Sequence, residues 1–124
     1  MKHQRPVNLD LTSFSYPPMA IVSILHRISG ILLFLGVPVM LYFLSVSLSS
    51  VSAFEQLTAM LHHPFWKLFN WFFLSALLYH LLAGIRHMVM DYGWGESLSA
   101  SRYSAITLLG LVVVGVIGLG VWIW

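Results

Sequence analysis

Cysteine is absent from this 124-residue chain, and charged residues are scarce. Without a thiol the chain cannot form a disulfide, use a thiolate nucleophile, ligate an iron–sulfur cluster through cysteine or attach a c-type haem. Any redox centre held by the chain must use other ligands. Six Lys and Arg residues against four Asp and Glu residues give a net charge of +2 at pH 7. This charge is too small, and the basic residues are too scattered, to indicate a nucleic-acid partner.

Apolar side chains dominate the composition instead. Hydrophobic residues make up 59% of the chain and aromatic residues 15%, and the mean hydropathy is +0.87. Three stretches, 20–48, 65–90 and 103–124, meet the length of about 17–25 apolar residues that crosses a bilayer. In lipid the backbone N–H and C=O groups must hydrogen-bond to one another, so a single apolar segment that crosses the bilayer is helical. We predict an all-α membrane protein with three transmembrane helices, forming a single domain over residues 1–124.

The segment 1–18 is polar and ends in Pro17-Pro18, so we interpret it as an arm before the first helix and not as a cleaved signal peptide. Lys2 and Arg5 lie on the N-terminal side of the first span. Arg86 and Arg102 flank the connection between the second and third spans. The connection between the first and second spans, which we interpret as a loop, offers only Lys67. Because basic flanks favour the cytoplasm, we predict a cytoplasmic N-terminus and a C-terminus on the opposite side.

Six polar residues lie inside the first two predicted spans. They are Ser23, His26, Arg27, His80, Arg86 and His87. An Arg in hydrocarbon costs roughly 2.5–3.5 kcal/mol on insertion scales, so such residues usually face a bundle interior and serve a ligand, a proton or a partner. The first span begins at the cytoplasmic face and the second ends there. We therefore expect the two polar groups in the same half of the membrane.

One face of the first predicted helix combines a hydroxyl, an imidazole and a guanidinium. Ser23, His26, Arg27 and Gly30 have the spacing i, i+3, i+4 and i+7 of a single helical face. This grouping favours a wall of a binding site. The alternatives are that Arg27 extends to the lipid headgroups and that Ser23 hydrogen-bonds to its own helix. Beyond this group, Pro38 is expected to kink the helix.

On the second predicted helix, His80, Ala83, Gly84 and His87 share a face. A small residue beside a histidine leaves room for a flat group such as a porphyrin, and imidazole is a common axial ligand of haem iron. Buried propionates would need cations nearby, for which Arg27, Arg86 and His87 are candidates. The alternative is close helix packing with an interhelical hydrogen bond.

Haem ligation by His80 would require a second axial ligand. His26 lies on the facing helix, but its use would leave Ser23 and Arg27 without a partner. A histidine from a second subunit is the more natural donor, which implies a hetero-oligomer. The remaining pair, His62-His63, is interpreted as part of a solvated loop because adjacent side chains on a turn point apart.

Five strings of this chain can be compared with known families. They are Arg5-Pro-Val-Asn-Leu-Asp-Leu11, Ser23-Ile-Leu-His-Arg-Ile-Ser-Gly30, Tyr79-His80, Gly84-Ile-Arg-His-Met88 and Asp91-Tyr-Gly93. Together they closely resemble the cytochrome b556 subunits of bacterial succinate dehydrogenase. The resemblance covers most of the chain in order. It implies a multi-pass anchor in the bacterial inner membrane, with the C-terminus in the periplasm.

The resemblance also implies a larger assembly. Such an anchor joins a second membrane anchor, an iron–sulfur subunit and a flavoprotein that oxidises succinate to fumarate, and the complex reduces ubiquinone. The haem-binding helical bundle is formed by the two anchors together. Within it, His80 resembles one axial ligand of haem b, the second anchor supplying the other, while His26, Arg27 and His87 resemble residues that contact the haem.

Ser23 and Arg27 resemble the quinone-site residues of that family, with Ser23 hydrogen-bonding a quinone carbonyl and Arg27 lying between the quinone and the haem propionates. Asp91 is a candidate for a proton path from the cytoplasm. No catalysis is expected from the isolated chain. Two other functions remain open, an anchor of a fumarate reductase and a haem-free structural or proton-conducting membrane subunit.

Overall fold

The computed structural model describes residues 16–124, which form four α-helices. Their bounds are α1 Pro18–Ser49, α2 Val51–Leu61, α3 Pro64–Asp91 and α4 Leu98–Ile123. Helices α1, α3 and α4 are long and apolar enough to cross a membrane. The prediction of an all-α protein with three transmembrane helices is confirmed. The part of the predicted arm that carries Lys2 and Arg5 lies outside the described residues.

Prolines and a serine determine where the long helices begin. Pro18 and Pro64 occupy the first turns of α1 and α3, where a fixed φ and a missing N–H cost nothing. The Ser97 side chain caps α4 by accepting a hydrogen bond from the backbone of its first turn, at 3.3 Å. Helix α4 therefore begins at Leu98 and not at residue 103, where the apolar run starts.

Helix α2 is an element that the sequence analysis missed. The connection between the first two spans was expected to be a loop, which is wrong for residues 51–61. Ser50 accepts a hydrogen bond from the Ala53 amide at 3.1 Å, and Ala53 and Leu57 lie one turn apart on the face turned inward. At about 1.5 Å per residue, the 11 residues of α2 are too short to cross a bilayer.

The turn predicted before the second span is present, between α2 and α3. His62 and His63 are exposed, and Nδ1 of His63 accepts a hydrogen bond from the Phe65 amide at 3.3 Å. His63 is therefore a cap for α3. Helix α1 continues through Pro38 as a single helix.

Helices α1, α3 and α4 meet around a small core near the N-terminal end of α1. The core residues are Val22, Tyr79, Ala83, Ala105 and Leu108. Ala83 and Ala105 are fully buried, because their small side chains let the helices approach closely. Elsewhere the long helices expose large apolar side chains such as Phe34 and Val121. That surface needs lipid or other subunits to cover it.

The antiparallel order of α3 and α4 depends on a tight connection and a distant tie. Gly93 and Gly95 adopt φ values of 82° and 75°, a conformation that glycine reaches without strain. At the other end of the helices, Nε1 of Trp71 donates a hydrogen bond to the Val116 carbonyl at 2.9 Å. This bond satisfies a polar group that lipid could not.

We predict that Gly36→Ala destabilises the packing of α1 on α3. A Cβ at Gly36 would lie 2.5 Å from Cδ2 of Phe73. A packed aromatic ring cannot move aside as the end of a flexible side chain can. Overpacking of this kind costs about 1–3 kcal/mol. The measurement is the thermal unfolding midpoint of the detergent-solubilised protein.

The matched control is Gly110→Ala, because a Cβ at Gly110 would meet no atom within 4 Å. Alanine is the better helix former, so this change should be neutral or stabilising by up to about 1 kcal/mol. Equal midpoints for the two variants would contradict the close packing of α1 against Phe73.

Candidate functional site

Three histidines from α1 and α3 meet beside the apolar core. The imidazoles of His26 and His80 stack with ring centres 4.2 Å apart and planes inclined by 16°. The His87 ring lies 5.2 Å from that of His26, tilted by 48°. The expected convergence of the polar groups of the first two membrane spans is therefore present. We call His26, His80 and His87 the histidine cluster.

The hydrogen bonds of His80 define which of its nitrogens carries the proton. Nδ1 of His80 lies 3.0 Å from Oγ of Ser29 and 3.3 Å from the His26 carbonyl oxygen. The Ser29 hydroxyl donates its own proton to that same carbonyl at 2.8 Å. Both neighbours of Nδ1 therefore act as acceptors, so we infer that Nδ1 carries the hydrogen. The lone pair of the neutral ring then lies on Nε2.

Nε2 of His80 is available to a ligand. It has no hydrogen-bond partner among residues 16–124, and it is not among the buried side-chain atoms that lack a partner. It therefore reaches the surface of this chain. A histidine that is anchored through Nδ1 and has a free Nε2 lone pair is arranged as metal-ligating histidines are.

Nε2 of His26 is different, because it is buried and has no partner within the described part of the chain. Buried polar atoms are almost always hydrogen-bonded, and one left unpaired costs about 1–3 kcal/mol. Among residues 16–124 no group completes this site.

Two glycines give the imidazoles their space. A Cβ at Gly30 would lie 3.2 Å from Cε1 of His80, and one at Gly84 would lie 3.5 Å from Nε2 of His26. The first contact is tight, so any larger residue at Gly30 would push the His80 ring away from α1. The sequence analysis expected the small residues beside His80 to leave room for a flat group. In the structure the space at each glycine is taken by an imidazole of the facing helix, His80 at Gly30 and His26 at Gly84.

Ser23 and Arg27 lie apart from the histidine contacts. Ser23 is partly buried and Arg27 is exposed, and neither has a hydrogen-bond or ion-pair partner in the described residues. At a spacing of i and i+4 they are neighbours on one helical surface. Ser23 and Arg27 thus offer hydrogen-bonding capacity on α1 that residues 16–124 do not use.

Arg86 serves the fold and does not join the histidine cluster. Its Nε donates to Oγ of Ser104 at 3.0 Å, and its Nη2 donates to the carbonyl and to Oγ of Ser101, at 2.9 and 3.0 Å. Arg86 was one of three candidate cations for haem propionates, and in the structure its guanidinium is directed at α4 instead. Asp91, the last residue of α3, is exposed and has no partner in the described residues.

Ser29 is the functional candidate that sequence reasoning missed. It is only 4% exposed and joins α1 to the His80 ring. The available signal in the sequence was its position, one turn after His26 and next to Gly30. The sequence analysis grouped Ser23, His26 and Arg27 on one helical face and did not include Ser29.

Comparison with known proteins adds what the geometry alone does not. Residues 1–119 match the family described as "Succinate dehydrogenase/Fumarate reductase transmembrane subunit". The chain belongs to this family. A succinate dehydrogenase cytochrome b556 subunit of Coxiella burnetii is 50% identical, over the full length of both chains. That of Paracoccus denitrificans is 32% identical, over 93% of this chain and 89% of its own.

A third relative has a similar name. A succinate dehydrogenase cytochrome b560 subunit of Chondrus crispus is 32% identical, over 89% of this chain and 90% of its own. The resemblance drawn from the motifs is confirmed. Family membership makes the chain a membrane-anchor cytochrome b subunit of succinate dehydrogenase, and the word cytochrome b implies a b-type haem.

We predict that Arg86→Ala weakens the assembled enzyme without changing its haem. Loss of hydrogen bonds from a charged donor to Ser101 and Ser104 should cost about 2–3 kcal/mol of stability. The reduced-minus-oxidised absorption bands should keep their positions. Thermal denaturation of the detergent-solubilised complex measures the first effect and difference spectroscopy the second.

Arg102→Ala is the control, because Arg102 is exposed and has no partner in the described residues. Its effect on stability should stay within about 0.5 kcal/mol. Haem bands that shift in Arg86→Ala while its stability matches that of Arg102→Ala would overturn the structural role of Arg86.

Proposed function

We propose that the chain binds a haem b together with a second anchor subunit and forms part of the ubiquinone-reduction site of a bacterial succinate dehydrogenase. Such a site connects the tricarboxylic acid cycle to the respiratory chain. The observation that carries the proposal is the state of His80, whose Nδ1 is held by α1 and whose Nε2 is free at the surface. When bound, the haem supplies a one-electron acceptor near the quinone site.

The residues present fit such a group. His80 offers an in-plane lone pair at Nε2. The buried Nε2 of His26 has no partner in the described residues, and a propionate or a water molecule beside the haem would provide one. His87, whose ring lies 5.2 Å from that of His26, and Arg27, the residue after His26, are assigned to offset propionate charge. These residues, His26, Arg27 and His87, are assigned the contacts with the haem periphery.

The geometry supports a second axial ligand from another subunit. The rings of His26 and His80 are stacked, so their lone pairs lie in nearly parallel planes and cannot meet one iron from opposite sides. His87 lies on the same helix as His80, about 10 Å further along the axis, which is unsuitable for the opposite face of the same iron. A histidine of the second anchor is the remaining source.

Ser23 and Arg27 are assigned to the quinone. Reduction of a quinone takes two electrons and two protons, and negative charge develops on its carbonyl oxygens. A hydroxyl and a guanidinium that have no other partner among residues 16–124 stabilise that charge by hydrogen bonding. Ser23 donates to a carbonyl, and Arg27 lies between the quinone and the haem propionates. Asp91 is a candidate carrier of protons from the aqueous face.

The same assignment sets the orientation and the neighbours. The histidine cluster lies at the end of the bundle where α1 begins and α3 ends. With the N-terminus in the cytoplasm, that end faces the iron–sulfur subunit and the flavoprotein, and the C-terminus faces the periplasm of an inner-membrane complex. The larger number of basic residues at that end supports this orientation.

One observation also favours a haem-free structural or proton-conducting anchor. The contact of Nδ1 of His80 with Ser29 is an interhelical hydrogen bond, as close packing alone would require. Nε2 separates the two functions, because packing does not use it and haem ligation does. An anchor of fumarate reductase would use the same residues, since the direction of the reaction depends on potentials in the partner subunits.

We predict that His80→Ala removes the low-spin b-type haem signal of the purified complex. The lost nitrogen leaves the iron with one strong axial ligand, so the haem becomes high-spin or is lost. The dithionite-reduced minus oxidised spectrum is the measurement. His62→Ala, at an exposed histidine in the turn before α3, is the control and should leave the spectrum unchanged. A wild-type complex without haem, or an unaltered spectrum in His80→Ala, would favour the haem-free anchor.

We predict that Arg27→Ala impairs quinone reduction and leaves succinate oxidation intact. Loss of one donor to a developing oxyanion typically costs about 10²-fold in rate. Succinate-to-quinone turnover is compared with reduction of a soluble dye that accepts electrons without the membrane site. Arg102→Ala removes the same charge elsewhere and should leave both rates alone. Equal loss of both activities in Arg27→Ala would contradict a role at the quinone.

A further inference from the structure

Ser29 combines two properties that no other described serine has. It is buried at 4% exposure, and its hydroxyl oxygen lies 3.0 Å from an imidazole nitrogen of another helix. Ser47 and Ser49 also donate to the carbonyl three residues earlier, at the same 2.8 Å as Ser29. Those two are exposed and contact no ring, so the local bond by itself has no special function. The contact with His80 is what distinguishes Ser29.

We propose that Ser29 is a positioning residue for His80, acting as acceptor for Nδ1–H and so fixing the tautomer and plane of the ring. This inference rests on the proposed haem ligation by Nε2. The Ser29 proton is committed to the His26 carbonyl, so an oxygen lone pair remains for Nδ1. The hydroxyl thus makes the Nε2 lone pair available and opposes the tautomer that would block it.

Few other contacts restrain the ring. The His26 carbonyl is a longer acceptor at 3.3 Å, the His26 ring stacks on one face, and the backbone at Gly30 comes close to Cε1. Stacking restrains tilt but permits rotation within the plane. The Ser29 bond is therefore the shorter of the two contacts that hold Nδ1 in one direction.

The hydrogen bond between Ser29 and His80 also affects how strongly the His80 imidazole binds iron. An acceptor at Nδ1–H gives the imidazole more anionic character and makes Nε2 a stronger donor to iron. A stronger donor favours the ferric state and lowers the midpoint potential of the haem. Removing the hydroxyl is expected to raise that potential, and a ring plane less firmly held is expected to shift or broaden the low-spin signal of the oxidised haem.

The test uses the whole four-subunit complex with Ser29→Ala, Ser29→Thr and Ser29→Val. Thr and Val have the same shape and differ in a hydroxyl against a methyl, so the pair separates hydrogen bonding from volume. An apolar cavity of about 160 Å³ borders Ser29 between α1 and α3 and gives room for the added methyl. Ala is smaller than Ser and a better helix former, so it brings no steric obstacle to assembly. Ser47→Ala is the matched control.

The readouts are the midpoint potential of the haem and the electron paramagnetic resonance spectrum of the oxidised complex. Both are independent of turnover. We expect Ser29→Ala and Ser29→Val to raise the potential and shift the spectrum, and Ser29→Thr and Ser47→Ala to match the wild type. Should Ser29→Ala fail to assemble, the comparison of Thr with Val gives the answer. Wild-type values in both Ala and Val variants, or equal shifts in Thr and Val, overturn the inference.

His80→Ala separates failure of this inference from failure of the proposed function. If His80→Ala loses the low-spin haem while Ser29→Ala keeps wild-type values, only the role of Ser29 is refuted. If His80→Ala keeps the haem unchanged, ligation by His80 is refuted and the role of Ser29 falls with it.

Discussion

Polar groups inside a bilayer have no water with which to form hydrogen bonds. Each one on this chain must therefore find a partner in protein, cofactor or lipid headgroup, and the arrangement of the helices depends on this constraint. Tyr79, Trp71 and Arg86 satisfy it within the chain. The Tyr79 hydroxyl donates to the Val22 carbonyl at 2.8 Å, and Trp71 and Arg86 tie α3 to α4 at its two ends. These bonds hold the three long helices in place where the apolar core is small.

Other polar groups remain unpaired, and they coincide with the proposed site. Nε2 of His26 is buried without a partner, Nε2 of His80 is free at the surface, and Ser23 and Arg27 make no bond within the described chain. Their shared location in one half of the bundle is what a shared ligand would produce. Satisfied groups build the fold, and unsatisfied groups indicate what a cofactor and a partner subunit supply.

Much of this could be predicted from the sequence because hydropathy and helical spacing are local properties. The three spans, and the meeting of His26 with His80, follow from apolar length and antiparallel order. Helix α2 was missed because a search by apolar length finds only segments that can cross a membrane. The signals of this shorter helix are Ser50, which is its N-cap, and Leu57, which is buried. The partner of Arg86 and the bridge made by Ser29 depend on the rotation of packed helices, which residue spacing on one helix does not specify.

An experimental structure of the haem-containing complex tests the central claim most directly. The account predicts that Nε2 of His80 binds the haem iron and that a histidine of the second anchor supplies the other protein ligand. It also predicts that Nδ1 of His80 keeps its hydrogen-bond contact with Ser29. An iron ligated by other residues, or a His80 whose Nε2 contacts only protein and lipid, would contradict it.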